Sequence, residues 1–124
     1  MAVSVTDEIA NAVVVEETIL ASAARTSSGN SGEVDVSNYI EALVFLKSDA
    51  GTGTTPTLDV KLQVSPNGTD WYDLPSGSFT QVTTGASSQV KQVTNLGRRL
   101  RVAYTIGGTT PSFTFEVLLA GKNY

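Results

Sequence analysis

Few residues in this chain could carry chemistry. Asp70 and Asp73 stand three apart and flank Trp71 and Tyr72. Paired carboxylates beside aromatic rings are what a sugar-cleaving groove needs, one acting as acid and the other as base or nucleophile. The same stretch reads more simply as a hairpin with polar residues outward and two aromatic anchors, and that reading is preferred. Asp49, Asp59 and Asp70 with loop carbonyls could ligate calcium, but their spacing matches no ligand loop, so no metal site is assigned. Gly51 and Gly53 have no helix after them and do not form a phosphate cradle. Asn67-Gly68-Thr69 fits the N-glycosylation acceptor pattern, yet a β-turn accounts for both the Asn and the Gly. Histidine and cysteine are absent. That removes imidazole acid–base catalysis, thiolate nucleophiles, disulfides and the usual zinc ligand sets. No catalytic residue and no cofactor is therefore expected, and the composition argues against an enzyme.

Contact residues are better represented. Arg98, Arg99 and Arg101 form one basic cluster; at strand spacing Arg99 and Arg101 share a face. Two readings of it stay open: ordinary solvated strand residues, or contacts to an acidic protein surface. Such a surface exists in the chain itself, because residues 1–50 hold eight acids against two bases, whereas residues 51–124 hold four against six. Trp71 and Tyr72 are adjacent, so on a strand they point to opposite faces. Trp71 is expected in the core and Tyr72 half-exposed, as a candidate ligand contact. Near the start, Val3, Val5, Ile9, Val13, Val14 and Val15 supply an apolar set for an assembly interface.

The elements that must position these residues follow from composition and period. The chain has 124 residues, enough for one domain. Charged residues are 16 % and the net charge is −4, which suits neither a surface of charged helices nor nucleic acid, whose backbone needs clustered Lys and Arg. No run of 18 apolar residues occurs, so no membrane span is expected, and no basic, apolar-followed leader opens the chain.

Residues 1–17 show no clean period and read as an extended arm with one strand-like patch at Val13, Val14 and Val15. Residues 18–25 read as a first core strand, residues 26–32 as a Ser/Gly loop, and residues 33–37 as a short alternating strand. In residues 39–47, Ile40, Ala42, Val44 and Leu46 share one face, while Leu43 and Phe45 on the other face invite cover there too. Residues 57–65 alternate most cleanly, with Leu58, Val60, Leu62 and Val64 inward, and a Pro-Asn-Gly turn follows. Residues 79–83 and 89–93 suggest two more strands. Residues 99–106 place Leu100, Val102, Tyr104 and Ile106 inward and Arg99, Arg101, Ala103 and Thr105 outward. Residues 112–119 place Phe113, Phe115, Val117 and Leu119 inward. Residues 48–56 and 107–111 are expected to be loops. No internal repeat stands at a fixed spacing. About eight short strands, no competing helix and frequent turn residues predict an all-β, antiparallel β-sandwich, jelly-roll-like, spanning residues 18–124 behind the arm.

Three stretches also carry a resemblance: Ser-Pro-Asn-Gly leading to Trp-Tyr over residues 65–72, Leu-Gly-Arg-Arg-Leu-Arg-Val over 96–102, and Gly-Gly-Thr-Thr-Pro-Ser-Phe-Thr-Phe over 107–115. In these the chain resembles small β-sandwich proteins encoded among the structural genes of tailed bacteriophages, from about Ile19 to Lys122. The resemblance implies a virion structural protein: capsid decoration, head-fibre base or tail accessory. It brings no catalytic residues. The expectation is a non-enzymatic protein on the phage particle surface, a homo-oligomer whose partners are capsid subunits or copies of itself, gripping neighbours through the arm and a sandwich face. Two rivals stand beside it: a carbohydrate-binding or host-adhesion module using Tyr72, and a filament or tube subunit in which acidic and basic parts of successive copies meet.

Overall fold

A computed structural model describes residues 13–123, of which Val13 is described by its backbone alone. Eight strands follow one another: β1 (Val13–Arg25), β2 (Gly29–Asn30), β3 (Val34–Asp35), β4 (Glu41–Ser48), β5 (Thr52–Ser65), β6 (Tyr72–Ser78), β7 (Ser87–Val93) and β8 (Arg99–Asn123). Every pairing is antiparallel. Among the described residues no helix is long and apolar enough to cross a membrane.

The organising element is β8, 25 residues long. Its first part pairs with β5 on one side (Leu62↔Val102, Leu58↔Ile106) and with β2 and β3 on the other. β6 closes that layer beyond β5. Its second part pairs with β1 and with β4, in register Glu41↔Lys122 through Ser48↔Phe115, and β7 lies beyond β4. One strand thus belongs to both layers. The inward faces meet in a single core: Leu58, Val60 and Leu62 from β5, Leu100 and Val102 from the first part of β8, Ala42, Val44 and Leu46 from β4, and Phe113, Phe115, Val117 and Leu119 from the second part of β8. Side chains two apart on a strand share a face, so each of these runs buries as a unit.

β8 crosses between layers at a repeated tetrapeptide. Gly53-Thr54-Thr55-Pro56 in β5 lies against Gly108-Thr109-Thr110-Pro111 in β8, with Thr54 opposite Thr109. The ladder shifts register on both sides of that pair. Gly53 and Gly108 adopt φ of 104° and 112°, values that L side chains disfavour. The expected loops at residues 48–56 and 107–111 are corrected here: apart from the short turn before Thr52, both are bends inside continuous strands. Glycine and proline terminate most strands; here they redirect two strands together and keep the main-chain pairing.

Other expectations shift in detail. β1 begins at Val13, so the part of the expected arm from Val13 to Glu17 pairs with β8, while residues 1–12 lie outside the described residues. Within residues 18–25 only Ile19 is buried. Residues 79–83 form a single bridge, Leu58↔Val82, rather than a strand, although Phe79 and Val82 are buried. Ile40 precedes β4 and is exposed. Ala103, expected outward, is buried because β2 pairs beside it at Asn30. Next to it, buried Ser31 is tied to Val102, its Oγ accepting from the Val102 amide at 2.8 Å.

Candidate functional site

The turn after β5 is built from its own side chains. Ser65 Oγ accepts the Gly68 amide at 2.8 Å, and Asn67 Oδ1 accepts the amides of Thr69 (2.8 Å) and Asp70 (2.9 Å). Gly68 supplies φ 79°. The Asn67 carbonyl is thus spent on the backbone, as an Asx turn requires. Its side-chain amide donates to Asp70 at 2.9 Å, so Asp70 belongs to the turn and not to a carboxylate pair with Asp73.

Asp73 instead joins a ladder across β6, β5 and β8. Its carboxylate accepts from Gln63 Nε2 at 3.0 Å and from Lys61 Nζ at 3.1 Å, and these hydrogen bonds hold its pKa below the ordinary value. Gln63 Oε1 in turn accepts from Arg101 Nε at 2.9 Å. The Arg101 guanidinium lies 4.4 Å from the centroid of the Trp71 ring, a cation–π contact. Trp71 is therefore not a core residue, contrary to expectation. It is half-buried, with one ring face occupied by Arg101. Tyr72 starts β6 on the opposite side and is 59 % exposed, in line with the alternation read from the sequence.

The basic cluster is spread over different surroundings. Arg99 pairs with Glu33. Arg101 is held by Gln63 and Trp71. Arg98 is exposed, and its backbone carbonyl accepts the Val36 amide at 2.9 Å. Arg99 and Arg101 thus sit on one face, as their spacing implied, but each is engaged within the chain. Among the described residues no group of three or more His, Cys, Asp or Glu is placed to hold a metal ion.

Of the apolar set near the start, Val14 is exposed and Val15 half-buried in β1, Val13 pairs through its backbone with Asn123, and Val3, Val5 and Ile9 lie outside the described residues. Sequence reasoning missed the outer face of the β1–β8–β4–β7 layer as a surface. There Val14, Leu43, Phe45 and Val90 stand 63 %, 41 %, 38 % and 56 % exposed. The apolar second face of β4 was visible in the sequence, and among the described residues no element covers it.

The two packed layers decide the fold. It is an antiparallel β-sandwich. No protein-family model matches the chain, and no curated protein does. Solved structures match in fold. The chain is similar to the PBSX exported protein XepA, with a TM-score of 0.59 and 16 % identity over 86 % of this chain, which spans 36 % of that protein's length. It is similar to a subunit of Bacillus endospore appendages, described as a family of disulfide-linked pili, with a TM-score of 0.54 and 18 % identity over 99 % of this chain and 97 % of that one. It also matches Clostridium thermocellum xylanase 10B, solved as CBM22-1–GH10 modules with xylohexaose, with a TM-score of 0.52 and 9 % identity over 89 % of this chain and 26 % of that one. At these identities the likeness concerns architecture.

Proposed function

We propose that this chain is a non-enzymatic structural protein of a tailed-phage particle, and within it a decoration subunit on the outside of the capsid shell. The observation that carries the reading is the contrast between its two kinds of side chain. Arg99, Arg101, Asp70 and Asp73 are engaged in internal pairs and turns, while apolar side chains stand exposed together on one layer. Exposed apolar patches of this sort mark adhesion surfaces. The phage-protein motifs at residues 65–72, 96–102 and 107–115 support the particle assignment, and the fold shared with an appendage subunit supports a building-block role. Lacking cysteine, this chain would join its neighbours without disulfides.

In this reading residues 1–12, which lead into β1, add a strand to the sheet edge of a neighbour, where main-chain hydrogen bonds supply affinity. Repetition over a symmetric shell converts modest contacts into firm attachment. The test is co-sedimentation of the purified protein with emptied phage shells, followed by negative-stain imaging. Added density repeating with the shell lattice is expected, and lost when residues 1–12 are removed. Protein left in the supernatant would overturn the decoration role.

A second reading, a carbohydrate-binding module, is favoured by one observation: Tyr72 stands exposed at the start of an edge strand. A glycan array that responds to the wild type and not to Tyr72→Ala would support it. An array that shows no glycan signal would remove it.

A further inference from the structure

We infer that the outer face of the β1–β8–β4–β7 layer is a two-fold interface between two copies of this chain. The inference deepens the structural role proposed above by naming one partner and the face it uses. The outward side chains of β4, in order, are Glu41, Leu43, Phe45 and Lys47. Directly opposite them on β8 are Lys122, Ala120, Leu118 and Glu116. Each column runs from one charge through two apolar residues to the opposite charge, and the two columns run with opposite polarity. The four charges therefore stand at the corners of the patch with signs alternating round it. Glu41 and Lys122 already pair at 3.4 Å.

Such a patch is complementary to itself. A two-fold axis in the plane of the contact, parallel to the strands and between β4 and β8, lays the β4 column of one copy over the β8 column of the other. Glu41 then faces Lys122, and Lys47 faces Glu116, in both directions. In the middle Leu43 comes over Ala120 and Phe45 over Leu118, a large side chain over a smaller one each time. The surface has room for this. A hollow of about 310 Å³ lies among Val14, Leu43, Gln92 and Ala120, and one of about 450 Å³ lies beside Phe45, Leu118 and Ala120. Ala120 borders both, so the seat for the partner's Leu43 is preformed. A patch that meets its own copy in this way is what an isologous dimer requires, and aligned packing of two sheet faces is an ordinary arrangement. A partner carrying a single sign of charge would meet repulsion at two of the four corners.

Sedimentation velocity of the full chain at rising concentration tests this. A monomer–dimer equilibrium is expected. Lys47→Glu sets Glu over Glu116 twice across the axis, and like-charge contacts at an interface are costly, so dimerisation should weaken at least about tenfold. Lys47→Glu combined with Glu116→Lys restores opposite charges over each other for this axis and should recover the dimer. Far-ultraviolet circular dichroism of each variant checks that the sandwich is intact. A wild type that stays monomeric, a single variant that dimerises unchanged, or a double variant as weak as the single one overturns the inference. Shell co-sedimentation separates the two proposals: a monomer that binds shells sinks only the dimer, and a dimer that ignores shells sinks only the decoration role.

Discussion

Gly53 and Gly108 interlock. A Cβ on Gly53 would lie 2.5 Å from the carbonyl oxygen of Thr110, and a Cβ on Gly108 would lie 2.7 Å from the carbonyl oxygen of Thr55. Thr55 and Thr110 themselves hold φ of 46° and 48°. The two Gly-Thr-Thr-Pro copies thus meet as near equivalents, each glycine making room for the other copy's backbone. Gly53→Ala and Gly108→Ala each add a side chain at positive φ and against a main-chain oxygen that cannot rotate away. Each should cost at least about 1–3 kcal/mol, read as a lower urea midpoint. Because the two sites touch, the double variant should cost less than the sum of the single ones.

The second prediction concerns alkaline pH. Tyr39 packs its ring on Gly121, where a Cβ would come within 2.7 Å of it, and its hydroxyl donates to the Glu17 carboxylate on β1. Burial, then the bond to Glu17 and its negative charge, push the Tyr39 pKa up to about 12. The folded protein therefore holds the proton more tightly than the unfolded chain, whose tyrosine ionises near 10. The stabilising contribution is complete below pH 10 and disappears as pH rises toward 12. Ultraviolet titration should show one tyrosine ionising late. Tyr39→Phe should remove that late step and flatten the loss of stability over the same window; a wild type in which all four tyrosines ionise together would contradict it.

What the sequence disclosed and what it hid have a common cause. The inward sets Leu58, Val60, Leu62, Val64 and Phe113, Phe115, Val117, Leu119 were legible because a two-residue period is a local property; all are buried except Val64, which is half-buried against the core. The Asn67 turn was legible for the same reason. The bends at Gly53 and Gly108 were not, since a short segment holding both glycine and proline ordinarily marks a turn or loop; only the pairing of two distant copies turns them into a crossing between layers. The ladder from Asp73 through Gln63 to Arg101 and Trp71 joins three strands, and no spacing along the chain announces it. Leu43 and Phe45 showed that the second face of β4 is apolar, but whether the chain itself covers that face depends on the whole topology.

Arg101 gives the third prediction. Its guanidinium lies over Trp71, 4.4 Å from the ring centroid, and its Nε donates to Gln63 Oε1 at 2.9 Å. Arg101→Ala should expose the ring, shift tryptophan fluorescence to longer wavelength and cost about 0.5–1 kcal/mol, the scale of a cation–π contact near the surface. The single tryptophan of the chain makes the signal unambiguous. Arg101→Lys keeps the charge but not the planar fork, and should recover less than half of the shift. Equal spectra for wild type and Arg101→Ala would show that the ring does not depend on this partner.

The last prediction concerns how an edge strand stays attached. The β1 ladder shifts register between Thr18 and Leu20 and again between Leu20 and Ala23, so its last three residues form a short pairing separated from the rest. Arg25 compensates there. Its guanidinium donates to the Phe115 carbonyl at 2.9 Å and to the Ala21 carbonyl at 2.7 Å, and it lies 4.8 Å from the Phe115 ring centroid and 5.8 Å from that of Tyr104. Those two rings meet edge to face at 5.3 Å, joining the second part of β8 to the first. One side chain therefore holds the end of β1 to the aromatic pair that links the layers. Arg25→Ala should cost about 1–3 kcal/mol, since charge-assisted hydrogen bonds and cation–π contacts are lost together. Hydrogen exchange gives the sharper reading: protection should fall at Ala23, which pairs with Phe115, and persist at Val15 and Glu17, which lie beyond both register shifts. Uniform loss along β1 would mean that the strand detaches as a whole and that Arg25 is not its local anchor.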